Sequence, residues 1–192
     1  MKKILLVAAV AALAACNNSD NAKVESMNKD SSGTTKMADN MNYPYTTDYS
    51  HDFEMGDPKN SMSLLELYKN WDANNMDNAK QYFADNDTMF FSNGMVFMGS
   101  RDSLFAMAGK MRASMGTVVD SVHAFLPLRS KDKDEQWVLI WTREIAADAK
   151  GKKTIRELQE TWRFDKNGKV NLMYQYAQEP PKMGPPPPPA KK

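Results

Sequence analysis

The chain has 192 residues, 26% of them charged, with 25 Lys and Arg against 24 Asp and Glu and a formal net charge of +1. A near-neutral chain has no electrostatic footprint for nucleic acid, and this length predicts one domain. Its single cysteine, Cys16, excludes an intrachain disulfide and a cysteine-based metal site.

The N-terminus is ordered like a secretory signal. Lys2 and Lys3 precede an apolar run from Ile4 to Leu13, and the small residues Ala14 and Ala15 stand just before Cys16. Ten apolar residues are too few to span a bilayer as a helix. The string Leu13-Ala14-Ala15-Cys16 resembles the bacterial lipoprotein box. That resemblance implies cleavage after residue 15 and lipidation of Cys16, palmitate included, on its sulfur and its new α-amino group. The alternative is an ordinary cleaved signal with an incidental cysteine. On the lipoprotein reading, loss of Lys2 and Lys3 leaves 23 Lys and Arg against 24 acids, a formal net charge of −1. Each buried acyl methylene contributes about 0.8 kcal/mol, and more than one chain gives stable anchoring. The lipid bilayer is then one partner, and the cell envelope is the location. Asn17, rather than an acidic residue, follows Cys16, which points to the outer membrane of a Gram-negative bacterium.

The rest divides by composition. Residues 16–57 form a tether and an arm. Asn17 to Asn42 is polar and without hydrophobic period. YPYTTDYSHDF (Tyr43 to Phe53) is aromatic, either an extended arm lying on the domain, which is preferred, or a disordered recognition segment. The domain occupies 58–178. Asp57-Pro58 predicts a helix start, with Leu64, Leu67, Tyr68 and Trp71 at helical spacing as far as about Ala73. Asp77 predicts the cap of a short second helix ending at Phe83. Asn93-Gly94 predicts a hairpin pairing Thr88–Ser92 with Met95–Met98. A third helix is predicted from Asp102 to Met115, with Leu104, Met107, Ala108, Met111 and Met115 on one face. Strands follow over Val118–Leu128, Gln136–Ala146, Lys153–Phe164 and Val170–Tyr176, with a turn at Lys166-Asn167-Gly168-Lys169. Alternation puts Trp137, Leu139 and Trp141 on one face and Val138, Ile140 and Thr142 on the other; it also groups Leu158, Glu160, Trp162 and Phe164. Residues 179–192 are a tail whose five consecutive prolines, Pro185 to Pro189, favour polyproline II.

Three strings carry a family resemblance: WDANNMDNAKQYFADND (Trp71 to Asp87), FFSNGMVFMGSRDSLFAM (Phe90 to Met107) and TWRFDKNGKVNLMYQY (Thr161 to Tyr176). Together with the element order, they resemble the nuclear transport factor 2-like superfamily, which includes SnoaL-like polyketide cyclases and ketosteroid isomerase. The resemblance covers about Ser61 to Gln178. It implies an α+β fold, a cone-shaped curved antiparallel sheet packed on three N-terminal helices, and a homodimer through the outer sheet face.

It also says where chemistry would sit. The carboxylate base of isomerase-like members falls on Phe91, with Ser92 beside it, and a phenyl ring cannot take a proton. Their oxyanion-donating tyrosine falls on Leu67, with Tyr68 about 100° round the helix. Epoxide-hydrolase-like members use an acid–arginine–acid set, for which Arg143, Glu144, Glu157 and Glu160 offer side chains. Glu160 has two readings. If it points into the cone, desolvation raises its pKa and suits it to acid–base work, with Tyr82 or Tyr174 as hydrogen-bond partner. If its face lies outside, it pairs with Arg143. The pocket candidates are Tyr68, Trp71, Phe91, Met107, Met111, Glu160 and Trp162. His123 reads as a structural residue, and His51 lies in the arm. The 15 methionines read as core or pocket lining, with Cu(I) binding through clusters such as Met107, Met111 and Met115 as a weaker reading. No metal site and no cofactor is expected.

The expected function is therefore a membrane-anchored, extracytoplasmic binding module for a small apolar ligand or an envelope protein, without catalysis. The alternative is an enzyme of the polyketide cyclase, isomerase or dehydratase type using Glu160. Cys16→Ala is expected to release the protein from membranes in a fractionation experiment, and its retention there would refute the anchor.

Overall fold

A computed structural model describes residues 42–178. Cys16, most of the polar tether and the proline-rich tail lie outside the described residues. The order is β1 (Phe53–Met55), α1 (Pro58–Asp72), α2 (Met76–Lys80), β2 (Phe83–Phe90), β3 (Val96–Ser100), α3 (Arg101–Ser114), β4 (Thr117–Ser130), β5 (Glu135–Ala147), β6 (Lys153–Phe164) and β7 (Val170–Gln178).

Local chemistry starts and stops the helices. The Asp57 carboxylate accepts from the Lys59 amide at 2.9 Å, and Pro58 occupies the first turn of α1. Asn74, at φ 53°, ends the run. Ser100 caps α3 by accepting from the Ser103 amide. The second helix is shorter than its sequence predicts, and Asn75 rather than Asp77 caps it. It ends at Lys80 because Phe83 is claimed by the core, edge-on to Phe105 at 5.0 Å and to Trp162 at 6.2 Å. The Tyr82 carbonyl already accepts from the Val170 amide, so the chain is committed to the sheet there.

The seven strands lie in the order β1-β4-β5-β6-β7-β2-β3. Every pair is antiparallel except β2 with β7, which run parallel. Three hairpin loops share one device. Phe91, Asp148 and Asp165 each donate an amide to the carbonyl four residues on, and accept at their own carbonyl from Gly94, Gly151 and Gly168. Those glycines sit at φ 84°, 79° and 70°, the left-handed region that closes a three-residue loop. The loop at Asn93-Gly94 is therefore one residue longer than a two-residue turn, and the pairing becomes Phe90 with Val96 rather than Ser92 with Met95. The aromatic arm lies on the domain. Phe53 to Met55 pair with β4, and Tyr49 packs edge-on to Trp137 while donating its hydroxyl to Glu135.

The sheet curls over the helices, and the core sits on its inner face. Leu64 and Leu67 of α1, Ala79 of α2 and Leu104 of α3 meet Val138, Ile140, Trp162 and Phe164. The inner face of β5 is the one with Val138, Ile140 and Thr142, and that of β6 the one with Leu158, Glu160, Trp162 and Phe164. One core contact is polar. Arg112, 2% exposed, donates Nε to the Trp71 carbonyl at 2.7 Å, Nη2 to that of Asp72 at 2.8 Å and Nη1 to that of Gly116 at 2.8 Å. It satisfies the last carbonyls of α1, which have no partner within their helix. The buried stripe of α3 thus runs Leu104 to Arg112, and Met111 is left largely exposed.

Asp87 on β2 is the opposite case. It is buried, and neither carboxyl oxygen has a hydrogen-bond partner among the described residues. Burial pushes its pKa up to about 7, against the pull of Arg101. The folded state then binds a proton that the unfolded state has released, so stability falls as pH rises from about 4 to about 7. Asp87→Asn is expected to flatten this dependence and to raise the melting temperature at pH 8 relative to wild type, but not at pH 4. Arg112→Met removes three hydrogen bonds to main-chain carbonyls and is expected to cost about 3–5 kcal/mol, read from the urea midpoint.

Candidate functional site

Inside the curl, between α1, α3 and the sheet, lies a cavity of about 180 Å³. The register of the long strands lays its sheet wall out in rows. Val138, Trp162 and Met173 stand side by side on β5, β6 and β7 and make an apolar row. Ile140, Glu160 and Gln175 make the next. Beyond it Asp120, Glu144 and Arg156 face one another across β4, β5 and β6. Leu67, Tyr68 and Trp71 of α1 and Leu104, Ala108 and Met111 of α3 complete the wall. The exposed side chains of Met95 and Met111 stand where the cavity opens to solvent.

Glu160 is 4% exposed and faces inward. Its Oε2 accepts from the Tyr68 hydroxyl and, at 2.9 Å, from Trp162 Nε1; its Oε1 accepts from Gln175 Nε2 at 2.7 Å. Gln175 is held in turn by Ser92, whose hydroxyl donates to Gln175 Oε1 at 3.0 Å. Burial pushes the Glu160 carboxyl up, the three donors pull it back, and neighbouring Glu144 pushes it up again. Burial, then the Glu160 charge, holds the Tyr68 phenol well above its ordinary value. The hydrogen between them therefore stays on the tyrosine whenever Glu160 is ionised.

The row of Asp120, Glu144 and Arg156 is an ion pair with a further acid beside it. Glu144, also 4% exposed, accepts from both Nε and Nη2 of Arg156 on the same oxygen, Oε1, at 2.9 Å. The Asp120 amide donates to both carboxyl oxygens of Asp72, at 3.1 and 3.2 Å. Burial first, and then the Asp72 carboxyl, lift the Asp120 carboxyl to about 8, so it carries a proton at neutral pH. Its Oδ1 is buried without a hydrogen-bond partner among the described residues.

Five of the sequence candidates besides Glu160 line this cavity: Tyr68, Trp71, Phe91, Met111 and Trp162. Three others do not. Tyr82 lies in the turn before β2, where Phe83 takes the inward position, and its ring packs at the edge of the core. Tyr174 alternates with Met173 and Gln175, so it points outward and stacks on Phe90 at 4.9 Å. Met107 packs against the core cluster from the flank of α3. The hydrogen-bond partner of Glu160 is therefore Tyr68, neither Tyr82 nor Tyr174. Its face is the inner one, and Arg143 pairs instead with Glu157 on the outer face, at 2.6 Å, with His123 at 3.5 Å from the same carboxylate. Of the acid–arginine–acid candidates, Arg143 and Glu157 leave the site and Glu144 and Glu160 stay. Arg156 and Asp120 join them without having been singled out. Arg156 was within reach of the period-two rule, four residues before Glu160. Asp120 was hidden by a register shift in β4 between Val122 and Ala124, which breaks the alternation of that strand.

No protein-family model and no curated protein matches the sequence. Solved structures do. An NTF2-like protein of unknown function from Exiguobacterium sp. 255-15 is 15% identical, covers 62% of this chain and 99% of its own, and superposes with a TM-score of 0.51. Another NTF2-like protein of unknown function, from Cytophaga hutchinsonii, is 14% identical over 61% of this chain and 97% of its own, with a TM-score of 0.46. An epoxide hydrolase/cyclase-like enzyme of pyran ring formation in the polyether salinomycin is 12% identical over 62% and 91%, with a TM-score of 0.49. The unclosed seven-stranded sheet curled over three helices among the described residues, which superposes on the Exiguobacterium protein, is the nuclear transport factor 2-like fold.

Proposed function

We propose that this protein is an envelope lipoprotein whose cone binds a small, largely apolar molecule bearing one polar group. The carrying observation is the preformed cavity of about 180 Å³, apolar on most of its wall, with the carboxyl groups of Glu160, Asp120 and Glu144 among its few polar groups. A concave apolar site with a few fixed polar groups is the usual form of a small-molecule site. Anchoring rests on the lipoprotein box at Cys16. No helix among the described residues is long and apolar enough to cross a membrane.

The way Glu160 is held favours binding over turnover. A carboxylate that accepts from Tyr68, Trp162 and Gln175 is oriented and stabilised, and each donor makes it a weaker base. A second reading keeps one specific observation in its favour. Burial raises Glu160 in the same cavity, as an acid–base residue of a cyclase, isomerase or dehydratase requires. In that reading Tyr68 is its hydrogen-bond partner.

Native mass spectrometry of the full mature chain from a near-native host tests the first reading. Wild type is expected to carry a small-molecule adduct that is absent from Ala108→Trp, a variant that fills the cavity. An adduct-free wild type would overturn it. Glu160→Gln separates the two readings. Binding predicts an adduct reduced about tenfold or less, whereas catalysis predicts that turnover of the released molecule is lost while the melting temperature holds.

A further inference from the structure

Several of the donors on the cavity wall are already turned to protein acceptors. Tyr68, Trp162 and Gln175 donate to Glu160, and Arg156 points both Nε and Nη2 at a single oxygen of Glu144. Arg112 of α3, a buried cation nearby, spends hydrogens on three main-chain carbonyls. The carboxyl oxygens on the wall are less well matched. Asp120 Oδ1 is buried and unpartnered, and Oε2 of the nine-tenths buried Glu144 has no partner among the described residues. These two carboxyl groups stand opposite each other in the strand register, on the cavity wall. Acidic groups also outnumber basic ones on the wall. Asp120, Glu144 and Glu160 line the cavity against one cation, Arg156, and Asp72 stands behind Asp120.

A ligand that completes this wall must bring hydrogen-bond donors and positive charge, since a buried carboxyl oxygen left without a partner is costly. We infer that the cavity takes an apolar amine, with its protonated nitrogen between Asp120 and Glu144 and its hydrocarbon body against the apolar wall. The inference rests on the cavity being a binding site, as proposed above, and adds the chemical class of what it holds. A neutral or anionic body of the same shape would fill the same apolar space but leave the acceptors unmatched.

The proton on Asp120 gives this a second readout. Asp120 is faced by Asp72 and Tyr68 from α1, Glu144 from β5, and Arg156 and Glu160 from β6. Its carboxyl keeps a proton in the empty cavity because its acidic neighbours oppose a further negative charge. An ammonium group placed beside it reverses that balance. The ligand enters as a cation, the Asp120 O–H bond breaks, the electron pair stays on the carboxylate, and one proton leaves to solvent.

The test is calorimetric titration of the full mature protein at pH 7, in two buffers of different ionisation enthalpy, with three probes of one size: 2-phenylethylammonium, 2-phenylethanol and phenylacetate. The amine is expected to bind about tenfold or more tighter than the alcohol, with phenylacetate weakest, and to release a substantial fraction of one proton per molecule bound. Asp120→Asn is expected to abolish the proton release and to shrink the preference for the amine several-fold. The wild-type comparison stands by itself should that variant fail to fold. Alcohol binding as tight as amine binding, or amine binding without proton release, would overturn the amine assignment and leave the cavity as a binding site. Failure of all three probes to bind, or equal binding of the amine to Ala108→Trp, would overturn both.

Discussion

The register of β4, β5 and β6 is the constraint on which the cavity depends. Asp120, Glu144 and Arg156 form a row because each is the direct cross-strand partner of the next, and Glu160 stands beside Ile140 and Gln175 for the same reason. Side chains alternate between faces along a strand, so a slip of β6 by one residue against β5 would turn Arg156 and Glu160 outward and bring Glu157 and Gln159 inward. The three glycine-closed loops hold the hairpins at Phe91, Asp148 and Asp165 to one length, and the last two set the register that places the site.

The interior carries two kinds of polar group, and they differ in how they are satisfied. Arg112 makes three bonds to main-chain carbonyls, two at the end of α1 and one at Gly116, so it stabilises the join between α1, α3 and the start of β4. Glu160 is satisfied by Tyr68, Trp162 and Gln175 and is thereby fixed in direction. Oδ1 of Asp120 and one oxygen of Glu144 have no hydrogen-bond partner among the described residues. Buried acceptors without partners cost stability, and their place beside an apolar cavity is what the proposed amine site rests on. Asp87 shares the lack of partners but lies away from the cavity, where its effect is on the pH dependence of folding.

Much of the fold was legible in the residues because its signals are local. Asp57-Pro58 marked the start of α1, period-two alternation separated the two faces of β5 and β6 without saying which is the inner one, and Asn93-Gly94 marked a turn. The misreadings arose where a distant partner overrides a local preference. Phe83 leaves the second helix because the core needs its ring and the sheet needs the Tyr82 carbonyl. Arg112 enters a stripe that periodicity assigns to methionines, since carbonyls from another helix meet it there.

The site was legible only in part, for the same reason. Glu160, Tyr68, Trp71 and Trp162 could be named as pocket residues from spacing and resemblance alone. Tyr82 and Tyr174 could be named as partners of Glu160 only by guessing which residues share its space, and alternation along β7 sends Tyr174 the other way. The irregularity in β4 hid Asp120, because strand alternation fails as a guide wherever a residue is inserted into one strand of a pair. The sequence by itself determined the order of the helices and main strands, the separation of β5 and β6 into two faces, and the string Leu13-Ala14-Ala15-Cys16 that resembles a lipoprotein box, all of which are written in contiguous residues. Only the tertiary structure decided that Asp120, Glu144, Arg156 and Glu160 share one wall with Tyr68, because that wall is made by strand pairing and helix packing between residues far apart in the chain.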